Sequence, residues 1–246
     1  VRVTLLVTCV VDLLDPEVAE ATVRVLRAAG CDVTVAAEQT CCGQPGWNAG
    51  HAHEAAAVAR TTLGALEGEL AAGAEAVVVP AGSCAAMVRV FWPELFEVVG
   101  DPASAERARR VGEHTVELAE LLAGLDLPRL SASPTRVAYH HSCHMLRELR
   151  VREAPEVLLD RVDGVERVGW EGDDRCCGFG GLFSVKLPEV SVAMADEKLA
   201  ALAEAEPDVV VGCDTSCLAQ LRSRAEDLGR PLRTRHLAQL LDESLP

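Results

Sequence analysis

Adjacent cysteines followed by glycine occur twice in this chain, as "TCCG" at residues 40–43 and "RCCG" at residues 175–178. The two boxes sit inside a longer correspondence. Cys9 answers to Cys143, Cys41 and Cys42 to Cys176 and Cys177, and Ser83-Cys84 to Ser216-Cys217, at offsets of 134, 135, 135 and 133 residues. Four cysteines that keep step this closely mark an internal duplication. A chain of 246 residues is then two copies of one unit, expected at residues 1–130 and 131–246 with a linker over Pro128–Pro134, "PRLSASP".

The hydrophobic pattern of each copy alternates strand and helix. In the first, strands are predicted at Val3–Thr8, Asp32–Ala37 and Ala76–Pro80, with helices at Glu17–Ala29, Asn48–Ala72, from Ser83, and over Ala103–Leu125. In the second, strands are predicted at Arg136–His141, Val165–Trp170, Asp208–Gly212 and Leu232–Arg235. The intervening helices fall at Ala154–Val162, Pro188–Glu204, Ser216–Leu228 and His236–Glu243. This order implies an α/β fold of two pseudo-duplicated, Rossmann-like units, each a parallel sheet flanked by helices.

Each paired cysteine follows the end of a predicted strand. Cys9 and Cys143 are read as closing the first strand of each copy. Loops beyond the carboxyl ends of parallel strands gather on one edge of a sheet. Cys9, Cys41, Cys42 and Cys84 therefore converge in the first copy, and Cys143, Cys176, Cys177 and Cys217 in the second. Four converging thiolates suit zinc or an iron–sulfur cluster. Gly43 and Gly178, each next to a cysteine pair, let the backbone approach a large cofactor. Cys213 has no counterpart in the first copy and is either a further ligand or a buried strand-end thiol. Cys31 is read as a buried structural thiol.

Composition narrows the function. Acidic residues outnumber Lys and Arg by 38 to 23, so the chain offers no basic footprint for nucleic acid or an anionic membrane. No run of about twenty apolar residues could span a membrane. The N-terminal "VTLLVTCVVDLL" is interrupted by Asp12 and reads as a buried strand rather than an export signal. Ten cysteines in a chain expected to be cytoplasmic point to metal or redox chemistry rather than disulfides. Neither copy carries G-x-G-x-x-G after its first strand or a phosphate-binding G-K-[ST], so no nucleotide cofactor is expected.

The segments "TCCGQPGWNAG", "PAGSC", "HHSCH", "CCGFGGLFSVK" and "CDTSCL" together resemble the cysteine-rich CCG domain family over the whole chain. "CCGFGGLFSVK" with "HHSCH" is similar to its lactate-utilisation branch. The resemblance implies an iron–sulfur electron-transfer subunit of a multi-protein system that oxidises L-lactate, or a similar 2-hydroxy acid, to pyruvate. It implies one cluster per copy on the eight cysteines above, with Cys213 near the second. Sister iron–sulfur B-type and C-type subunits are the implied partners, and any membrane association would run through them. A more distant relative, the B subunit of heterodisulfide reductase, ends its motif in C-x-x-C and acts on disulfides. Here Ala81 and Asp214 stand where the first cysteine of that motif would be. A thiol–disulfide oxidoreductase and a zinc-stabilised non-redox scaffold remain as alternatives.

Three histidines flank Cys143. His141 and His144 are read as supporting the ligating cysteines, and His140 is left without a role. His51 and His53 are expected to be exposed. Lys186 is a candidate for offsetting thiolate charge, and Trp47 and Phe179 for shielding the site from water.

Overall fold

The runs Ala76–Val79 and Val209–Gly212 become buried strands because they are too apolar to remain in water and too short to close a helical face. The computed structural model describes residues 1–246. Its first sheet contains β1 (Arg2–Leu5), β2 (Asp32–Val35), β3 (Ala76–Val79) and β4 (Thr115–Glu117) in the order β2-β1-β3-β4. The second contains β5 (Leu130–His140), β6 (Val162–Arg167), β7 (Val209–Gly212) and β8 (Thr234–His236) in the order β6-β5-β7-β8. Every pairing is parallel. The two sheets repeat one topology, and the Rossmann-like α/β reading holds. Val77, Val78 and Val79 are fully buried, as are Val210 and Val211 of the equivalent strand. Each such side chain contributes roughly 1.5–3 kcal/mol.

The helices are α1 (Cys9–Leu14), α2 (Glu17–Ala28), α3 (Gln44–Asn48), α4 (Ala52–Ala71), α5 (Gly82–Ala86), α6 (Trp92–Val98), α7 (Pro102–Glu113) and α8 (Leu118–Ala123). The second copy adds α9 (Glu153–Asp160), α10 (Leu182–Lys186), α11 (Pro188–Ala205), α12 (Thr215–Asp227) and α13 (Leu237–Glu243). One π-helical turn, Met87–Phe91, extends α5, and another, Met145–Leu149, precedes α9.

Three sequence expectations are corrected. The helix predicted over Ala103–Leu125 is two helices separated by β4, whose Val116 pairs with Val78. Pro128–Pro134 is no free linker, because β5 begins at Leu130 and Ser131 N–H donates to the Ser244 carbonyl at 2.9 Å. Pro134 is tolerated there because the register with β6 shifts between Ser131 and Thr135. The first strand stops at Leu5, so Cys9 does not close it but opens α1, where the Thr8 hydroxyl accepts from the Val11 N–H.

The two copies pack as one body around a shared hydrophobic core that runs from Val3 to Leu241. The last helix of each copy lies against the first long helix of the other, α13 on α2 and α8 on α9. Arg24 of α2 grips Asp242 of α13 through contacts of 2.8–3.0 Å. Nearer the sheet edge, α5 packs against the turn at Met145 so closely that a Cβ on Gly82 would meet Met145 Cγ at 2.1 Å. The carboxyl edges of both sheets therefore face one another.

Candidate metal centre

In the first copy, the Cys9 and Cys41 sulfurs lie 3.4 Å apart and those of Cys42 and Cys84 3.3 Å apart. In the second copy, the Cys177 and Cys217 sulfurs lie 3.0 Å apart, and the Cys143 and Cys176 thiols are within hydrogen-bonding reach. Both quartets form as the duplication implies.

The loops that present them are built alike. Gly43 and Gly178 have φ of +86° and +87°. Their N–H groups donate to Cys41 Sγ and Cys176 Sγ, each at 3.4 Å. A side chain at either position would force the facing backbone to move. A Cβ on Gly43 would meet the Ala55 carbonyl oxygen at 2.8 Å, and one on Gly178 the Ser191 carbonyl oxygen at 2.5 Å. Trp92, fully buried, donates its indole N–H to the Cys42 carbonyl at 2.8 Å and fixes the first loop from behind.

Within each quartet one thiol is the acidic member. Hydrogen bonds from Cys42 and Cys9, helped by the Gly43 N–H, pull Cys41 far below the ordinary thiol range. Cys143 and Cys177, with the Gly178 N–H, do the same for Cys176. The neighbouring thiols are pushed up in compensation, Cys9 by its bond to Cys41 and Cys143 by its bond to Cys176. Such a set holds one thiolate and would release its remaining thiol protons to solvent on binding a metal.

Every cysteine of the two quartets except Cys41 lines a single cavity of about 90 Å³. Sequence spacing implied one site per copy; the packing of the copies turns both sites onto the same space. The boundary is closed by Ser83, whose hydroxyl donates to Asp214 Oδ1 at 2.5 Å, and by Gln44, whose amide donates to the Ser83 carbonyl at 2.9 Å. Asp214 Oδ2 is buried without a partner. Phe179 lines the cavity, as its candidate shielding role requires, whereas Trp47 packs into the core nearby.

The donor chemistry fits a thiophilic metal. Each copy offers four sulfurs, two of them buried and two half-buried, and a backbone N–H on a thiolate. Cys213 lies apart from this set. It is fully buried, accepts the Tyr139 hydroxyl at 3.1 Å, and does not line the cavity. Cys31 is buried in the core.

The comparisons with known proteins bear on the same residues. A profile described as a cysteine-rich domain, CCG, matches residues 3–89 and again residues 137–222, so each match holds one quartet. The chain belongs to the cysteine-rich CCG family. Within that family it is 41% identical to Lactate utilization protein A of Exiguobacterium sp., over 99% of this chain and 98% of the relative. It is 42% identical to the protein of that name from Geobacillus kaustophilus, over 98% of each. Among solved structures, an aspartate racemase homologue from Pyrococcus horikoshii aligns over 98% of this CCG chain and 95% of its own. That alignment has a TM-score of 0.32 and 10% identity, too distant to bear on function.

Several residues of this CCG chain take places that the sequence did not announce. Lys186 is exposed, and the cation near the second quartet is Lys198 instead. Lys198 is buried, donates to the Gly172 and Asp173 carbonyls at 2.7 and 3.4 Å and to that of Arg175, and sits 4.9 Å from the Trp170 ring centre. It is hidden in sequence as one more polar residue on α11. His144 lines the cavity with its Nδ1 on Glu148 at 2.9 Å. His141 is buried against Glu156 at 3.0 Å and does not line the cavity. His140, 1% exposed, has a ligand nitrogen within 4.8 Å of the Cys177 and Cys217 sulfurs, and neither ring nitrogen makes a hydrogen bond. Burial and then the Lys198 cation push its pKa down to about 3, so the ring is neutral. His51 and His53 are exposed, as expected.

No helix is long and apolar enough to cross a membrane.

Proposed function

We propose that this chain is an iron–sulfur electron-transfer subunit of a multi-protein system that oxidises L-lactate to pyruvate. The repeat units are residues 1–130 and 131–246. Each holds one cluster, the first on Cys9, Cys41, Cys42 and Cys84, the second on Cys143, Cys176, Cys177 and Cys217. Sister subunits of the B and C types supply the substrate pocket, and the assembly works in the cytoplasm.

The observation that carries the reading is the pair of matched quartets on one cavity, in a chain whose relatives are named for lactate utilization. Bound clusters would move electrons singly, and two of them match the two electrons released when a 2-hydroxy acid becomes a 2-oxo acid. The chain's own residues prepare the site. Gly43 and Gly178 donate backbone N–H groups to thiolates, a contact that favours the more negative, reduced state. Lys198 offsets charge beside the second quartet. Phe179 limits water. Asp214 and Ser83 hold the two copies in register across the cavity.

Zinc is the second reading. Neighbouring sulfurs lie 3.0–3.4 Å apart, and the outer sulfurs of each quartet would have to close in for all four to surround one tetrahedral ion at about 2.3 Å.

The test of function combines this chain anaerobically with its B-type and C-type partners and adds L-lactate. Bleaching of the visible absorbance of this subunit, with pyruvate formed, is the expected result. Unchanged pyruvate formation by a system carrying the Cys42→Ser, Cys177→Ser chain would refute the electron-transfer role.

A further inference from the structure

The duplication accounts for eight cysteines and leaves His140 unexplained. The offset of 134 residues that carries Cys9 onto Cys143 carries Leu6 onto His140. Both lie just where the central strand of their sheet ends, and both are 1% exposed. Leu6 shows that the fold at this position asks only for an apolar side chain. The second copy nevertheless buries an imidazole there with both nitrogens unpartnered. A buried polar group left without a partner costs about 1–3 kcal/mol. Residues of that kind persist where they bind something.

The ring's surroundings say what. One ligand nitrogen and the sulfurs of Cys177 and Cys217 lie within 4.8 Å of one another, all three residues buried. The Asp173 carbonyl also lies beside the ring, outside hydrogen-bonding geometry but on hand to accept an N–H. A metal-bound imidazole characteristically donates its other N–H to such a carbonyl, which fixes tautomer and orientation. Leu6 offers none of this to the first quartet.

We propose that His140 is a direct ligand of the metal bound by the second copy, alongside Cys177 and Cys217, and that the two centres of this chain are therefore chemically different. The first is an all-thiolate site; the second has mixed sulfur and nitrogen ligation. This rests on the reading of the quartets as metal centres and holds for iron or zinc. With iron bound, a neutral nitrogen ligand added to the thiolate set raises a centre's reduction potential, so electrons entering this chain settle on the second copy.

The test uses the anaerobically purified full chain carrying Cys9→Ser and Cys41→Ser, which leaves metal only in the second copy. X-ray absorption is recorded at the edge of whichever metal the protein holds. The expected spectrum contains sulfur plus the multiple-scattering pattern of one imidazole, and that pattern disappears in His140→Leu, which installs the first copy's residue. His140→Asn provides the same comparison with a polar side chain should the leucine variant fold poorly. Imidazole scattering absent from the parent, or retained in the His140 variants, overturns the proposal while leaving the metal centres in place. A second copy without any metal overturns the metal reading itself.

Discussion

Ser83 Oγ donates to Asp214 Oδ1 at 2.5 Å, and the Ser83 N–H reaches the same oxygen at 3.2 Å. This ties the start of α5 in one copy to the start of α12 in the other, across the mouth of the shared cavity. A hydrogen bond to a charged group contributes about 1.5–3 kcal/mol. Ser83→Ala should lower stability by about 1–2 kcal/mol, and Asp214→Ala by somewhat more because two donors lose their acceptor. The double variant should cost less than the sum, as for any pair acting through one contact. Urea unfolding of the three variants measures this; strict additivity would show that the two residues act independently.

Gly43 and Gly178 are predicted to resist replacement. Both need positive φ, and both face a carbonyl oxygen where a Cβ would stand. Gly43→Ala and Gly178→Ala should each cost at least about 2–3 kcal/mol, from strain plus displaced backbone. Each should also empty its own quartet of metal while sparing the other. Gly30, with φ of +81° and nothing within 4 Å of its would-be Cβ, is the control and should cost only about 1 kcal/mol. Equal losses at all three positions would show that steric contact in the cysteine loops has no special weight.

Glu117 sets a pH dependence. It ends β4 with no exposed surface, and one carboxylate oxygen caps α8 through the Ala119 N–H at 2.7 Å while the other has no partner. Burial pushes its pKa up from 4.5 to about 8, the Ala119 N–H opposing and the Glu120 and Asp214 charges adding. The folded state thus keeps a proton that the unfolded state has lost. Its contribution is full below about 4.5, and stability falls as pH rises towards 8, by at most about 1.4 kcal/mol per pH unit. Glu117→Gln should remove that slope. Unfolding free energies of the two proteins against pH decide it, and parallel curves would mean that Glu117 is ionised in the fold.

Much of the site was legible in the sequence because duplication supplies its own control: an apolar thiol can fall anywhere, but matched quartets cannot. Most of the strands and helices around the cysteines followed from apolar runs and their punctuation, but α1, which opens at Cys9, continues the apolar N-terminal run and reads as a strand end in sequence. β4 did not, since "TVE" is three residues long and becomes a strand only by pairing with β3. The "LSASP" stretch reads as a loop by composition and extends only because β6 lies beside it. The shared cavity was out of reach for the same reason, as it depends on how α13 meets α2 and α8 meets α9. His140 and Lys198 carry no local signal; their roles come from what surrounds them after folding.

The central claim is that each copy holds an iron–sulfur centre on its own four cysteines. It is tested most directly by counting iron and acid-labile sulfide in the anaerobically purified chain, wild type against Cys41→Ser, Cys176→Ser and the double variant. The account predicts iron with sulfide in the wild type, about half of each lost in either single variant and nearly all lost in the double, as expected where ligands act in two separate sets. Zinc without sulfide, or iron that survives both substitutions, would contradict it.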